Sequence, residues 1–136
     1  MSRGAKASFV SKEAFAVNQR NNIHSPGSSL PHHRLHVYKK SLELLAAVRA
    51  AQVKDAKLRD EALRAAKSVC LNIAEGSGRF SRADKARAYA IARGECVECV
   101  AAVEIAGSAG DTTTDCVAAV TRLGNDVYLM LGGLLG

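Results

Sequence analysis

The sequence predicts an all-α domain, an up-and-down four-helix bundle preceded by an N-terminal arm. Its 136 residues are enough for one domain with a core and too few for two. Apolar residues make up 48% of the chain and aromatic residues only 4%, so the core must consist largely of Ala, Leu, Val and Ile. Such small side chains favour closely packed helices over a β-sandwich. Apolar residues at three- and four-residue spacing then indicate four helices with short connections.

The first 34 residues are predicted to form a basic arm or linker, and residues 35–136 the bundle. The arm has little apolar periodicity and contains the stretch SPGSSLP at positions 25–31, which is typical of a loop. Ser11 could cap a short helix that runs to about Asn18.

Helices one and two are predicted over Leu35 to about Val53 and from about Leu58 to Glu75. The polar stretch 54–57 separates them. Gly76 is expected to end helix two in the left-handed conformation, and Gly78 to loosen the turn that follows.

Helices three and four are each predicted to begin at a capping box. Ser81 precedes Asp84 by three residues, which favours a start near Arg82 for a helix that runs to about Ala106. The sequence GSAGD then breaks the helical pattern at positions 107–111. Thr112 and Asp115 have the same spacing as the first pair and predict the start of helix four.

The stretch from Val69 to Arg79, VCLNIAEGSGR, is predicted to form the corner between helices two and three. Asn72 and Glu75 lie three residues apart on one helical face, at the edge of the core, and therefore need polar partners. Arg79, Arg87 or free helix-end amides could supply them. The favoured interpretation is a structural latch between the two helices. A catalytic Glu75 is disfavoured, because the sequence places no second acid, His or nucleophile near it.

This corner also carries a resemblance to a known family. LHVYKKSLELLAAV, LRAAKSVCLNIAEGSGRFSRADKARAYAIARGECVE and NDVYLMLGGLL resemble, in order, segments of the small bacterial four-helix-bundle proteins first noted in intervening sequences of 23S ribosomal RNA genes. The resemblance covers about Leu35 to Leu135. It implies a left-handed bundle that assembles into a pentameric ring without enzymatic activity. Related proteins are accessory subunits of the reverse transcriptases of diversity-generating retroelements, which implies a ring that binds nucleic acid and protein.

The family motif falls on residues of the corner and of helix three. At the corner it covers Asn72, Ile73, Ala74, Glu75, Gly76, Gly78, Arg79 and Ser81. In helix three it covers Arg87, Ile91, Ala92, Gly94 and Glu98. This chain departs from the pattern at Lys85 and Ala88, where aromatic or large apolar residues are usual, and at Glu95, where the family has Ser. It also closes at LLG without the usual basic C-terminus.

The net charge of +6 predicts a polyanionic partner or, alternatively, a solubilising tail. Positions 1–34 contribute +4, from Arg3, Lys6, Lys12, Arg20 and Arg34 against Glu13. Helix three adds a second basic stretch, in which Arg82, Lys85, Tyr89 and Arg93 fall within an arc of about 80°. Cations with an aromatic ring among them suit a phosphate-tracking surface. The alternative is a solvated face with Tyr89 packed inward. The predicted nucleic-acid-binding residues are Arg79, Arg82, Lys85, Arg87 and Arg93.

Helix three is apolar on two sides. Ala86, Ala90 and Val97 lie well away from a second apolar face that consists of Ala88, Ala92 and Cys99. One face can therefore pack in the bundle and the other against a neighbouring protomer. This pattern predicts a homo-oligomer.

The remaining candidate sites favour no cofactor and no metal. Cys96 and Cys99 have a metal-like spacing but fall in the middle of a helix, where core packing is the favoured interpretation. His32, His33 and His36 are expected to be solvated. EGSGR lacks the strand and the GK[ST] ending of a phosphate-binding loop. Four cysteines in helical, apolar surroundings and the lack of a membrane-length apolar run predict reduced thiols in a cytoplasmic protein.

The sequence therefore predicts a cytoplasmic, non-enzymatic homo-oligomer that binds RNA or DNA. The alternative is a ring-shaped scaffold that recruits a partner enzyme such as a reverse transcriptase.

Overall fold

Four helices make up nearly all of the computed structural model, which describes residues 29–136. A short 3₁₀ helix, Pro31–Arg34, leads into α1, His36–Ala50. The others are α2, Ala56–Gly78; α3, Arg82–Ser108; and α4, Thr114–Leu135. The described part of the chain contains no strand, so the predicted all-α class is confirmed. The predicted short helix after Ser11 lies outside the described residues.

The helices form an up-and-down four-helix bundle. Each packs on the next one in the chain, and α4 returns to pack on α1, which closes the bundle. Short connections at residues 51–55, 79–81 and 109–113 make consecutive helices antiparallel. The start of α1, the end of α2, the start of α3 and the end of α4 therefore all lie at one end of the bundle.

The core consists of small and branched aliphatic side chains and thiols, as the composition predicts. Leu44, Ile73, Val103, Val127 and Leu131 are among its fully buried members. Alanines fill the spaces between the helices, and five of them have no exposed surface: Ala62, Ala65, Ala66, Ala92 and Ala106. An interior of this kind allows close helix–helix approach.

Side chains cap the three longer helices at their N-termini. Asp55, Ser81 and Thr113 accept hydrogen bonds from the amide three residues further on, at 2.9, 3.0 and 3.1 Å. Ser81 was the predicted cap of α3. The prediction of Thr112 for α4 was wrong by one residue. Thr112 instead donates its hydroxyl proton to the carbonyl of Ala51 at 2.7 Å, which ties the α3–α4 connection to the end of α1.

Helix α1 ends earlier than the predicted Val53. Gln52 adopts a left-handed φ of 43°, which turns the chain out of the helix. Val53 is then buried in a small second cluster with Ala51, Ala106 and Cys116. At the other end of α3, Gly110 has a φ of 80° and makes the turn that the GSAGD sequence predicts.

Within residues 29–136, none of the helices is both long enough and apolar enough to cross a lipid bilayer.

Candidate nucleic-acid interface

The corner between α2 and α3 differs from its prediction at Gly76. Helix α2 continues through Gly76 to Gly78, and neither glycine has a positive φ. The reason for Gly76 is space. A Cβ there would lie 2.7 Å from Cε1 of Tyr89 and 3.1 Å from Cβ of Ala88. Gly76 thus allows α3 to cross close to α2, and the left-handed helix end that the sequence predicted is wrong.

Tyr89 packs inward at this crossing. Its side chain is 6% exposed and burial raises its pKa. The expectation that Tyr89 offers a ring for base stacking is therefore wrong, and the alternative of an inward-packed ring is correct.

Two of the predicted binding residues, Lys85 and Arg93, hold helices together. The Lys85 ammonium group donates hydrogen bonds to the carbonyl oxygens of Ser77, at 2.9 Å, and Gly76, at 3.4 Å, and so caps the C-terminus of α2. The Arg93 guanidinium lies 4.0 Å from the ring centroid of Tyr128 on α4. Its Nε is buried without a hydrogen-bond partner among the described residues.

The other three predicted residues, Arg79, Arg82 and Arg87, are exposed. Arg79 forms an ion pair with Glu75 one turn earlier, and the hydrogen bond that Arg79 donates to this carboxylate raises the pKa of Arg79. Arg82 and Arg87 make no hydrogen bond or ion pair within residues 29–136. These two side chains are available to bind phosphate, and their role in binding stays a prediction.

The predicted latch is made by other residues. The Asn72 amide group donates to the backbone carbonyl of Ser68 at 2.9 Å and to the Ser68 hydroxyl at 3.1 Å, so its bonds stay within α2. Glu75 likewise pairs within its own helix turn, with one of the predicted partners, Arg79. The contacts that join α2 to α3 at the corner are those of Lys85 and the Gly76–Tyr89 crossing.

A cleft of about 330 Å³ opens beside this corner, between α2 and α3. Seven residues line it: Asn72, Glu75, Arg79, Asp84, Arg87, Ala88 and Ile91. The sequence placed no second acid near Glu75, whereas the structure brings Asp84 to the same cleft. The lining contains no His, Cys, Ser or Lys side chain. Two arginines and two carboxylates in an open cleft form a charged surface that could bind a polar ligand.

A comparison with protein families shows which family the chain belongs to. The family model of the 23S rRNA-intervening sequence protein matches residues 33–133, or 101 of the 136 residues. The chain belongs to this family. A comparison with curated proteins found no match. The matched range begins and ends within two residues of the resemblance seen in the sequence.

In this member of the 23S rRNA-intervening sequence protein family, the fold gathers cations at one end of the bundle. We define the basic end by residues of the 3₁₀ helix, α1, the corner and α3: Arg34, Lys39, Lys40, Arg79, Arg82, Lys85 and Arg87. The carboxylates at the same end are Glu43, Glu75 and Asp84. At the opposite end, positions 49–61 and 104–115 carry four basic and six acidic residues. The basic arm also enters the bundle at the basic end, since Ser29 precedes the 3₁₀ helix.

A second exposed feature is the outer face of α3. We define it by seven uncharged residues within an arc of about 100°: Ala83, Ala86, Ala90, Gly94, Val97, Ala101 and Ile105. Arg87 and Glu104 lie at the two edges of the same arc. Val97 and Ile105 are 54% and 55% exposed. The buried residues of α3 lie on the opposite side of the helix, so its two apolar faces are confirmed. A Cβ at Gly94 would meet nothing within 4 Å, which leaves this face flat at its centre.

An ion-pair cluster between α2 and α3 was not predicted. The guanidinium of Arg64 contacts Glu61 at 2.8 Å on its own helix, and Glu95 and Glu98 on α3 at 3.0 and 2.8 Å. Because Arg64 donates hydrogen bonds to Glu95, the pKa of that carboxyl group is lowered. Glu95, one of the departures from the family pattern, thus joins α3 to α2 in this chain.

The cysteine pair lies in the core, as the packing interpretation predicted. Cys96 and Cys99 are 1% and 0% exposed, and burial raises their pKa values to about 11 and about 12. The Cys96 thiol contacts the carbonyl oxygen of Gly124 on α4 at 3.2 Å. His32 stacks edge-on against Tyr38, with ring centroids 4.6 Å apart, so that this histidine is partly packed where a solvated one was expected.

Proposed function

We propose that this protein is a non-enzymatic, homo-oligomeric nucleic-acid-binding protein, with RNA as its favoured ligand. Phosphates would bind at the basic end, where Arg79, Arg82 and Arg87 are exposed, and the arm would add its own cations. Such contacts neutralise phosphates without reading base sequence. The family resemblance implies a pentameric ring.

The observation that carries the proposal is the separation of charge along the bundle. Seven cations stand against three carboxylates at the basic end, and four against six at the other. Lys40 and Arg79 are each paired with a carboxylate at this end, and Lys85 bonds to backbone carbonyls. Arg82 and Arg87, free of such contacts within residues 29–136, are the strongest candidates for phosphate contacts. A field of one sign at one end favours an anionic polymer as the ligand.

Membership of an rRNA-associated family supports a nucleic-acid-related role.

The outer face of α3 supports the homo-oligomer. Its centre is uncharged, and five of its seven residues are Ala or Gly, which allow a second helix to approach closely. A patch of this kind on a protein surface marks an interaction site more often than a solvated face. Gly94→Gln would place a neutral, bulky side chain on the face without a clash in the protomer, because the space around Gly94 is open.

Binding is tested by fluorescence anisotropy with a labelled RNA and the double variant Arg82→Gln/Arg87→Gln. On a single strand, each lost phosphate contact makes the negative slope of log K against log salt shallower by about 0.7. The slope of the double variant should therefore be shallower than that of the wild type by about 1.4. Lys54→Gln/Lys57→Gln, at the opposite end, is the matched control and should bind as the wild type does. An equal loss of affinity in both double variants would contradict a site at the basic end.

Assembly is tested on the same preparations by light scattering. The wild type should be an oligomer, and Gly94→Gln should have a smaller mass with an unchanged helix content. A monomeric wild type at micromolar concentration would refute the homo-oligomer.

The second candidate function is a protein-interaction scaffold that recruits an enzyme such as a reverse transcriptase. It is favoured by the exposed apolar residues outside the outer face of α3, among them Leu71 and Leu129, which are 69% and 62% exposed. Contacts of this type depend weakly on salt, whereas phosphate contacts weaken steeply as salt rises. Binding to a partner enzyme that is retained at high salt, together with no binding to RNA at low salt, would favour the scaffold.

A further inference from the structure

Phe80, at the tip of the corner between α2 and α3, is the most exposed large apolar side chain of the described residues. Its exposed fraction is 103%, so that none of the described protein covers it. It is also the only Phe or Tyr ring of residues 29–136 in such a position. Tyr89 is buried, Tyr38 lies against His32, and Tyr128 lies beneath Arg93. Residues 29–136 thus contain few aromatic rings, and one of them, that of Phe80, is fully exposed to solvent.

Cations flank Phe80 along the chain. Arg79 precedes it, Arg82 follows two residues later, and Arg87 lies on the neighbouring cleft wall. Phe80 therefore combines an open π face with the part of the molecule that attracts phosphate. Apolar partners would gain from the ring but not from the three arginines, whereas a nucleic acid offers a base and phosphates together.

The backbone that carries the ring is held on both sides. Lys85 caps the end of α2 through Ser77, and the amide of Arg79 bonds to the carbonyl of Gly76 at 3.2 Å. On the other side, the Ser81 hydroxyl caps α3. Because the backbone at the corner is already ordered, stacking of a base on Phe80 costs the protein little conformational entropy.

We propose that Phe80 is a base-stacking residue and that the ligand of the basic end is single-stranded RNA or DNA. This proposal rests on the proposed nucleic-acid binding. It adds that the ligand is single-stranded and that Phe80 is the residue that contacts its unpaired bases. In a duplex both faces of each base are covered by neighbouring bases, whereas an unpaired base offers its face to a ring. The bases stack on Phe80 while Arg82 and Arg87 neutralise the adjoining phosphates.

The test compares Phe80 variants on labelled oligouridylate of about 12 nucleotides, which covers a typical single-strand site. Loss of one stacked base weakens binding by about 5- to 150-fold, so Phe80→Ala should raise Kd within that range and leave the salt slope unchanged. Phe80→Leu should resemble Phe80→Ala, because it keeps an apolar side chain without a ring. Phe80→Trp should bind like the wild type. Because the wild-type sequence has no Trp, the introduced indole is the only one in the variant, and its fluorescence should fall when a base stacks on it.

Two controls separate stacking from other effects. Leu71→Ala removes another exposed apolar side chain, on α2, and should leave Kd unchanged. An RNA duplex of the same length should bind the wild type and Phe80→Ala equally. Circular dichroism should give the same helix content for all variants, since Phe80 contributes no buried surface.

The failures are distinguishable. If the wild type and Phe80→Ala bind oligouridylate with the same Kd, stacking on Phe80 is refuted while nucleic-acid binding stands. If the wild type binds no nucleic acid at low salt, the proposed function itself is refuted. If Phe80→Ala loses its RNA affinity together with its oligomeric mass in light scattering, Phe80 belongs to an interface between copies, and the stacking role is overturned.

Discussion

Gly76→Ala tests the close crossing of α2 and α3. The added Cβ would lie 2.7 and 2.9 Å from Cε1 and Cδ1 of Tyr89 and 3.1 Å from Cβ of Ala88. Tyr89 is 6% exposed and belongs to the core cluster, so its ring must move by several tenths of an ångström within the core. Overpacking of this kind costs about 1–3 kcal/mol, while Ala gains about 1 kcal/mol over Gly in helix propensity. We expect a net loss of stability of up to about 2 kcal/mol.

The assay is urea unfolding followed by far-UV circular dichroism, with Gly78→Ala as the matched control. Gly78 lies two residues later in α2, and a Cβ there would meet nothing within 4 Å. Gly78→Ala should therefore be neutral or stabilising by up to about 1 kcal/mol. In the background Tyr89→Leu, the cost of Gly76→Ala should shrink, since the two sites share one contact. Equal stability of Gly76→Ala and Gly78→Ala would refute a steric conflict at Gly76.

Two further predictions concern the core thiols and the ion-pair cluster. Burial raises the pKa values of Cys96 and Cys99 to about 11 and about 12. Both thiols should therefore be unreactive toward Ellman's reagent in the native protein at neutral pH. Denatured protein should react at once, and rapid labelling of both residues before unfolding would contradict their burial. The lowered pKa of Glu95 means that its ion pair with Arg64 stabilises the fold above pH 4.5, its ordinary value, and that this contribution is lost as pH falls through the lowered value. At neutral pH, Arg64→Met should unfold at a lower urea concentration than the wild type, and the difference between their urea midpoints should narrow in acid. A difference in midpoint that does not change with pH would contradict a stabilising ion pair between Arg64 and Glu95.

Much of the fold could be predicted from the sequence, because the helical periodicity is strong and the caps are local. Apolar spacing alone identified the four helices, and Ser81 was identified as a cap from its spacing to Asp84. The helix ends that were predicted wrongly, the end of α1 and the start of α4, depend on single residues. Gln52 turned the chain before Val53, and Thr113 took the place of Thr112 as the cap of α4.

The candidate site was harder to predict, because periodicity places residues around one helix without saying which neighbour each will meet. Tyr89 and Lys85 share a predicted face with Arg82, yet that face borders α2, so the ring was buried and the ammonium group was used as a helix cap. Arg93 met α4 in the same way. Gly76 looked like a helix end because the sequence does not reveal that a ring from α3 crosses it.

The basic end and Phe80 were missed although their signals were present. In an up-and-down bundle the start of α1 lies beside the start of α3, which brings Arg34 and Lys39 to the same end as Arg82. Phe80 sits between a helix stop and a cap, with arginines on both sides in the sequence. The topology, read together with the charges, would have identified both.

The salt dependence of RNA binding by the full chain is the sharpest test of phosphate binding at the basic end. Anisotropy titrations with single-stranded RNA should give a straight line of log K against log salt with a negative slope, since each phosphate neutralised by a cation releases counterions. The slope should be shallower by about 1.4 in Arg82→Gln/Arg87→Gln. An affinity that does not change with salt, or no binding at low salt, would contradict a phosphate-binding function for the basic end.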